Sequence, residues 1–286
     1  MTNFRLIAKT TFSHEEIKAV AALEQLCNER EGISLRVGTE SLASRSGDSP
    51  HDFLCYADEQ LVGYLHWFTF DNKEAEINGM VHPDYRRQGV FGRLLSEAEM
   101  VMRTRGIVSQ IFLIDAKSRS GLDFVNHCGA KYDKTEYAMT LNRFQAPTTR
   151  RSDLLLREAT DEDFDFMVAC SSQAFGEPEA WSREMLLNTS TPDRTAYIAE
   201  YQGNQISLIR VLRSEDRIAD IHGFAVLPAH QGHGYGRQIL AGTVQLLLEE
   251  QRTHIHLDVV TENERALLLY QSLGFEITSA CQFYVR

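Results

Sequence analysis

One fixed offset of 145 residues lays the chain on itself without a gap: Gln60-Leu61 falls on Gln205-Ile206, Val81 on Val226, Pro83 on Pro228, Gly89 on Gly234, Leu95 on Leu240 and Gly129 on Gly274. A chain of 286 residues with such a self-match reads as two copies of one unit, each large enough for its own core. The copies are expected at residues 1–144 and 153–286. A linker is expected at 145–152, where a proline and small polar residues replace any periodic pattern. Only the N-terminal ends of the two copies need a gap to align.

The local patterns alternate. In the first copy, residues 4–8 read as a short strand, and Ser13-His-Glu-Glu16 is a capping box that opens a helix to about Glu29. Residues 53–57 and 61–70 form a hairpin, 74–81 a third strand, and an amphipathic helix follows Gly89. The unbroken apolar run Ile111-Phe-Leu-Ile114 predicts a fully buried strand. The second copy gives helices from Thr160 to about Ala174 and over 181–187, then a hairpin at 195–200 and 205–213 and a central strand at 217–226. Helix 233–251, strand 254–260, helix 264–272 and strand 275–285 complete it. The fold class is α/β (mixed α+β), with a mixed sheet covered by helices in each copy.

Phe224 to Arg237 runs Phe-Ala-Val-Leu-Pro-Ala-His-Gln-Gly-His-Gly-Tyr-Gly-Arg: a strand end, a glycine-punctuated turn and the start of a long helix. Gly232, Gly234 and Gly236 lack Cβ, and first-turn amides have no intrahelical partner, so the stretch suits a pyrophosphate. A dinucleotide fingerprint would need glycine where Arg237 stands, and a Walker loop would need a lysine, which never occurs after Lys134. A plain turn and helix cap is the other reading of the spacing.

Gln231-x-x-Gly234-x-Gly236, preceded by Phe-Ala-Val-x-Pro, resembles the acyl-CoA motif of the GNAT superfamily of N-acetyltransferases. Asn263-Glu-Arg-Ala266-Leu-Leu-Leu-Tyr270-Gln-Ser-Leu-Gly274-Phe275 is similar to the second signature of that family, in the correct order. The resemblance implies two tandem domains, each sheet splayed between its fourth and fifth strands, with acetyl-CoA in the split. It implies transfer of acetyl to a primary amine by direct attack in a ternary complex. Phe224, Ala225, Val226, Gln231, Gly232, His233, Gly234, Tyr235, Gly236, Arg237 and Asn263 would hold the donor, with backbone N–H groups near Ala225 and Val226 facing the acetyl carbonyl. Transfer to protein N-termini, and acyl-CoA sensing without turnover, are the alternatives.

Acyl transfer to an amine needs a base, an oxyanion cradle and a proton for the departing thiolate. Asp220 stands where histone acetyltransferases of the family hold a glutamate, and His222, two residues on, shares its strand face. Asp258 matches a glutamate of ribosomal-protein alanine acetyltransferases. Tyr270 sits where the family keeps a tyrosine as general acid; otherwise such a residue is core. Asn263 also suits a helix N-cap. In the first copy Ala75, Ser118 and Val125 replace Asp220, Asn263 and Tyr270, and Phe91 replaces Gly236, which points to a non-catalytic scaffold.

Most of the net charge of −11 lies in the second copy, which speaks against nucleic acid as partner and favours a small cationic amine. No apolar run suggests a membrane helix and no signal peptide is seen, so a cytoplasmic location is expected. Five scattered cysteines form no metal or disulfide pattern, and His254 and His256 lack a third metal ligand.

Overall fold

A computed structural model describes residues 3–35, 37–69, 72–148, 153–214 and 217–286. The chain divides into two compact units, Met1–Thr135 with Ser279–Arg286, and Glu136–Thr278. Both cuts fall inside strands, so each unit is completed by residues outside the matching sequence repeat. Linker residues 149–152 lie outside the described residues.

In unit 1, β1 (Phe4–Lys9), β2 (Asp52–Ala57), β3 (Gln60–Phe68) and β4 (Glu74–Val81) form an antiparallel run, and β5 (Ser109–Asp115) joins β4 in parallel. The last strand of the chain, β12 (Phe275–Val285), lays Cys281–Val285 antiparallel on β5. Helix α1 (His14–Glu31) starts at the predicted capping box, with Ser13 Oγ accepting from the Glu16 amide and Glu16 accepting from the Ser13 amide. It lies chiefly over β3 and β4, whereas α2 (Val90–Thr104) and α3 (Arg119–His127) pack on the other face, around Val62, Leu65, Trp67, Ile77 and Phe112. The strand at β5, expected to be fully buried, is only partly so. Phe112 points into the core, while Ile111 and Leu113 alternate outward.

Unit 2 has the strand order β6-β11-β10-β9-β8-β7. Its strands are β6 (Lys131–Leu141), β7 (Leu154–Glu158), β8 (Arg194–Tyr201), β9 (Asn204–Leu212), β10 (Ile218–Val226) and β11 (His254–Val260). One face carries α4 (Phe164–Phe175) and α5 (Glu179–Asn188), over Ile198, Leu208 and Ala225. The other carries α6 (Tyr235–Glu249) and α7 (Glu264–Ser272). Ile239, Leu240, Val244 and Leu247 of α6 pack there on Ile209, Val211, Ala219, Ile221, Ile255 and Leu257. A mixed sheet with helices on both faces is thus present in each unit, as the alternating patterns imply.

Residues after β6 are tied into unit 2: the Asn142 amide donates to the Gly274 carbonyl (3.0 Å) and the Gln145 amide to that of Leu273 (3.0 Å). Gly274 is needed there twice over. Its φ is +97°, and a Cβ would stand 1.9 Å from the Arg143 carbonyl oxygen. No helix among the described residues is long and apolar enough to cross a membrane.

Candidate active site

The site is built where two strands of unit 2 part. β10 and β11 pair in parallel only from Ile218–His254 to Ile221–Leu257. β10 continues alone against β9, with a register shift between His222 and Ala225 where Gly223 takes φ +55°. That is a β-bulge. The Ser207 hydroxyl locks it by donating to the Ala225 carbonyl at 2.6 Å. The Leu227 amide donates to the Ile206 carbonyl, so alternation along the ladder turns the Val226 amide away from β9 and toward the gap. Of the two backbone donors expected from the sequence, Val226 is the one so directed. In unit 1 the β3–β4 register runs unbroken from Phe68–Glu76 to Gly63–Val81, without a bulge.

The chain then makes a short turn at Pro228–His230, and Gln231 Nε2 reaches back to the Val226 carbonyl (2.9 Å). Gly234 is the N-cap of α6 with φ +81°, and Gly232 has φ +78°. A Cβ at either glycine would meet no atom within 4 Å, so backbone angle rather than crowding selects glycine there. The space over the helix start is open. The first intrahelical bond runs from the Gln238 amide to the Gly234 carbonyl (3.4 Å), which leaves the first-turn amides without intrahelical acceptors. These features fit a pyrophosphate. Gln231, Gly232, His233 and Arg237 are exposed, and Arg237 also donates to the Ser272 carbonyl (3.3 Å). Tyr235 differs: its ring is buried against Tyr201, centroids 4.8 Å apart, leaving its backbone as what it can offer a ligand.

Gly236 is not strained. Its absent Cβ would lie 3.5 Å from Leu269 and 3.7 Å from the Phe224 ring. Unit 1 inverts this pair: Gly79 replaces Phe224, Phe91 replaces Gly236, and the Phe91 ring comes within 2.6 Å of where a Gly79 Cβ would be. The Phe91 ring also stacks edge-on against Phe124 (4.7 Å). Arg86 mirrors Gln231, with its Nε donating to the Val81 carbonyl at 3.0 Å.

The proposed chemical groups do not form one hydrogen-bonded cluster. Asp220, His222 and Asp258 alternate with Ala219, Ile221, Leu257 and Val259, which face α6, and so they lie on the opposite side of the sheet. Asp220 is half-buried and accepts from Ser214 Oγ (3.3 Å), whereas Asp258 is exposed. Tyr270 belongs to the α6-side core, 8% exposed, against Phe275, and burial pushes its phenol up to about 12. Asn263 is the N-cap of α7, its Oδ1 accepting from the Ala266 amide (3.1 Å), and Ser118 caps α3 in the same way. His222 is pushed down to about 4, first by burial and then by the nearby Arg210 and Arg194. Its imidazolium is disfavoured, so His222 is poorly suited to carry a proton. Sequence reasoning missed both arginines, although Arg210 interrupts an apolar run, Ile206-Ser-Leu-Ile-Arg210-Val.

The profile of the acetyltransferase (GNAT) family matches the chain twice, over residues 18–129 and 156–275. The chain belongs to the GNAT acetyltransferase family. It is an N-acetyltransferase of two tandem GNAT domains, from a family that uses acetyl-CoA. The mycothiol acetyltransferase of Acidimicrobium ferrooxidans is 24% identical over 259 residues, covering 82% of each chain. The GCN5-related N-acetyltransferase from Sphaerobacter thermophilus superposes with a TM-score of 0.84 at 18% identity, covering 99% of this chain and 95% of that one. A tandem GNAT protein from the clavulanic acid biosynthesis pathway gives 0.73 at 17%, covering 99% and 98%. At these identities the structural likeness is one of fold.

Proposed function

We propose that unit 2 transfers acetyl from acetyl-CoA to the primary amine of a small molecule, by direct attack with both substrates bound. The observation that carries this reading is the bulge at Gly223 beside the glycine-capped start of α6. One aims a backbone donor into the parted strands, and the other presents amides to phosphate.

Acetyl-CoA supplies an activated acyl group; the chain positions it and manages protons. Amides from Gly232 to Arg237, with the Arg237 side chain, hold the phosphates. Gln231 ties that loop to Val226, and Phe224 and Asn263 border the path of the pantetheine arm. The Val226 N–H, with Ala225 shaping the bulge, receives negative charge developing on the carbonyl oxygen. Asp220 takes the proton of the amine, and Asp258 is the second carboxylate available on the neighbouring strand. Tyr270, held protonated by burial, gives its proton to the departing sulfur. Unit 1, with Ala75 and Val125 fully buried where unit 2 has Asp220 and Tyr270, serves as a scaffold.

The test is release of free CoA from acetyl-CoA over a panel of small amines and peptides, beside calorimetry of acetyl-CoA alone. Small amines are expected to support release. Binding without release for any acceptor would favour a sensing module, and exclusive use of peptides would favour transfer to protein N-termini.

A further inference from the structure

On the α4–α5 face of unit 2, Arg194 of β8, Arg210 of β9 and His222 of β10 lie close together, Arg210 being paired across the ladder with His222. Arg210 is only 4% exposed. Its Nη1 and Nη2 donate to the Thr189 hydroxyl and carbonyl, each at 2.9 Å, and Arg194 Nη1 donates to the same carbonyl at 3.1 Å. Thr189 caps the C-terminus of α5, where one cation would complement the helix end. Two cations on one carbonyl repel each other. Among the described residues neither forms a salt bridge with a carboxylate; Arg194 still has the charge of Asp193 nearby, whereas Arg210 is buried with only the like charge of Arg194 beside it, which is costly.

Two more polar atoms here are buried without a partner, Arg194 Nε and His222 Nε2. His222 Nδ1 lies 3.3 Å from the Asp220 carbonyl oxygen, which can only accept, so Nδ1 carries the proton and Nε2 presents a lone pair. The low pKa of His222 keeps that lone pair available at neutral pH. Gly223, held at φ +55°, lies against Arg210: a Cβ there would be in van der Waals contact with Arg210 Cδ at 3.4 Å. The face thus offers donors with positive charge and one acceptor, beside Asp220.

From this juxtaposition we infer that the acceptor amine carries a carboxylate a few bonds away, as free amino acids and their close analogues do. The carboxylate meets Arg194 and Arg210, and an amine N–H meets His222 Nε2. The inference rests on the acetyl-transfer reading of unit 2. It also reconciles two charges that pull apart: the acidic surface attracts an ammonium group, whereas a simple cation would be repelled by two guanidinium groups. A zwitterion suits both. In the reaction the amine nitrogen bonds the thioester carbonyl carbon and the C–S bond breaks. The amine proton passes to Asp220 and the sulfur leaves with the proton of Tyr270, giving an N-acetyl amino acid and CoA.

The experiment compares kcat/KM of the full chain for free amino acids and for their C-terminal amides, with melting of the CoA complex at millimolar concentrations of each as a second readout. Free acids are expected to be favoured by about tenfold or more, and to raise the melting temperature more than the amides do. Arg194→Gln, at a half-buried position, is expected to bring the ratio within about twofold, and Arg210→Lys to move it the same way. Equal use of acids and amides, or equal stabilisation when neither turns over, overturns the inference, as does Arg194→Gln lowering both series alike. Turnover of carboxylate-free amines at full rate would do so while leaving acetyl transfer intact. Failure to bind acetyl-CoA would instead remove the parent reading.

Discussion

At the scale of single residues, the pKa directions give definite outcomes. Tyr270→Phe is expected to lower kcat by about 10²–10⁴-fold with little change in CoA affinity, measured by steady-state kinetics and calorimetry. Full activity in that variant would remove the acid role. His222 is neutral in the fold down to about pH 4, while an unfolded histidine titrates near 6.5. Its contribution to stability is therefore complete above pH 6.5 and is lost as pH falls toward 4. Melting curves of His222→Gln should show a shallower loss across that window. Some slope will remain, because burial depresses His51 in the same direction. The candidate acids and bases could be named from the sequence because a motif fixed their positions. Arg194 and Arg210 could not, because what singles them out is their convergence on the Thr189 carbonyl and the burial of Arg210 without a paired carboxylate, and only folding brings such groups together.

At the scale of elements, the strand, loop and helix from β10 to α6 concentrate the function. Gly234→Val should weaken acetyl-CoA binding by about tenfold or more and cost at least about 1 kcal/mol of stability, since its φ of +81° suits no β-branched residue. Titration calorimetry and denaturant melts separate the two effects. Unchanged affinity would mean that the loop does not touch phosphate. The elements themselves were legible: the capping box at Ser13, the helix after Gly234 and the hairpin of β8 and β9 follow directly from local chemistry. The β5 strand was legible as a strand but its partial exposure was not, since an unbroken run such as Ile111-Phe-Leu-Ile114 does not tell which of its faces the rest of the chain covers. The bulge was equally hidden. Gly223 hints at it, but a register shift is a relation between two strands.

For the whole molecule, the repeat of 145 residues and the compact units are cut at different places, and that difference has a measurable effect. Ser279–Arg286 belongs to unit 1, where Cys281 and Phe283 are buried and the strand pairs with β5. Removing these eight residues should lower the melting temperature of the unit at the opposite end of the sequence, by about 5–10 °C. Proteolysis of the shortened chain should then attack unit 1 first. A fragment beginning at residue 153 would likewise lack β6, the neighbour of β11, and should fold poorly alone.

The exchange of Phe91 and Gly79 for Gly236 and Phe224 has an equally concrete corollary. Each repeat keeps a single ring in the gap between strand and helix, but its supplier has switched sides. Transplanting α2 into the place of α6 would crowd two rings into that gap, and the reverse graft would leave it hollow. Two helices that align residue for residue are therefore not spare parts for one another.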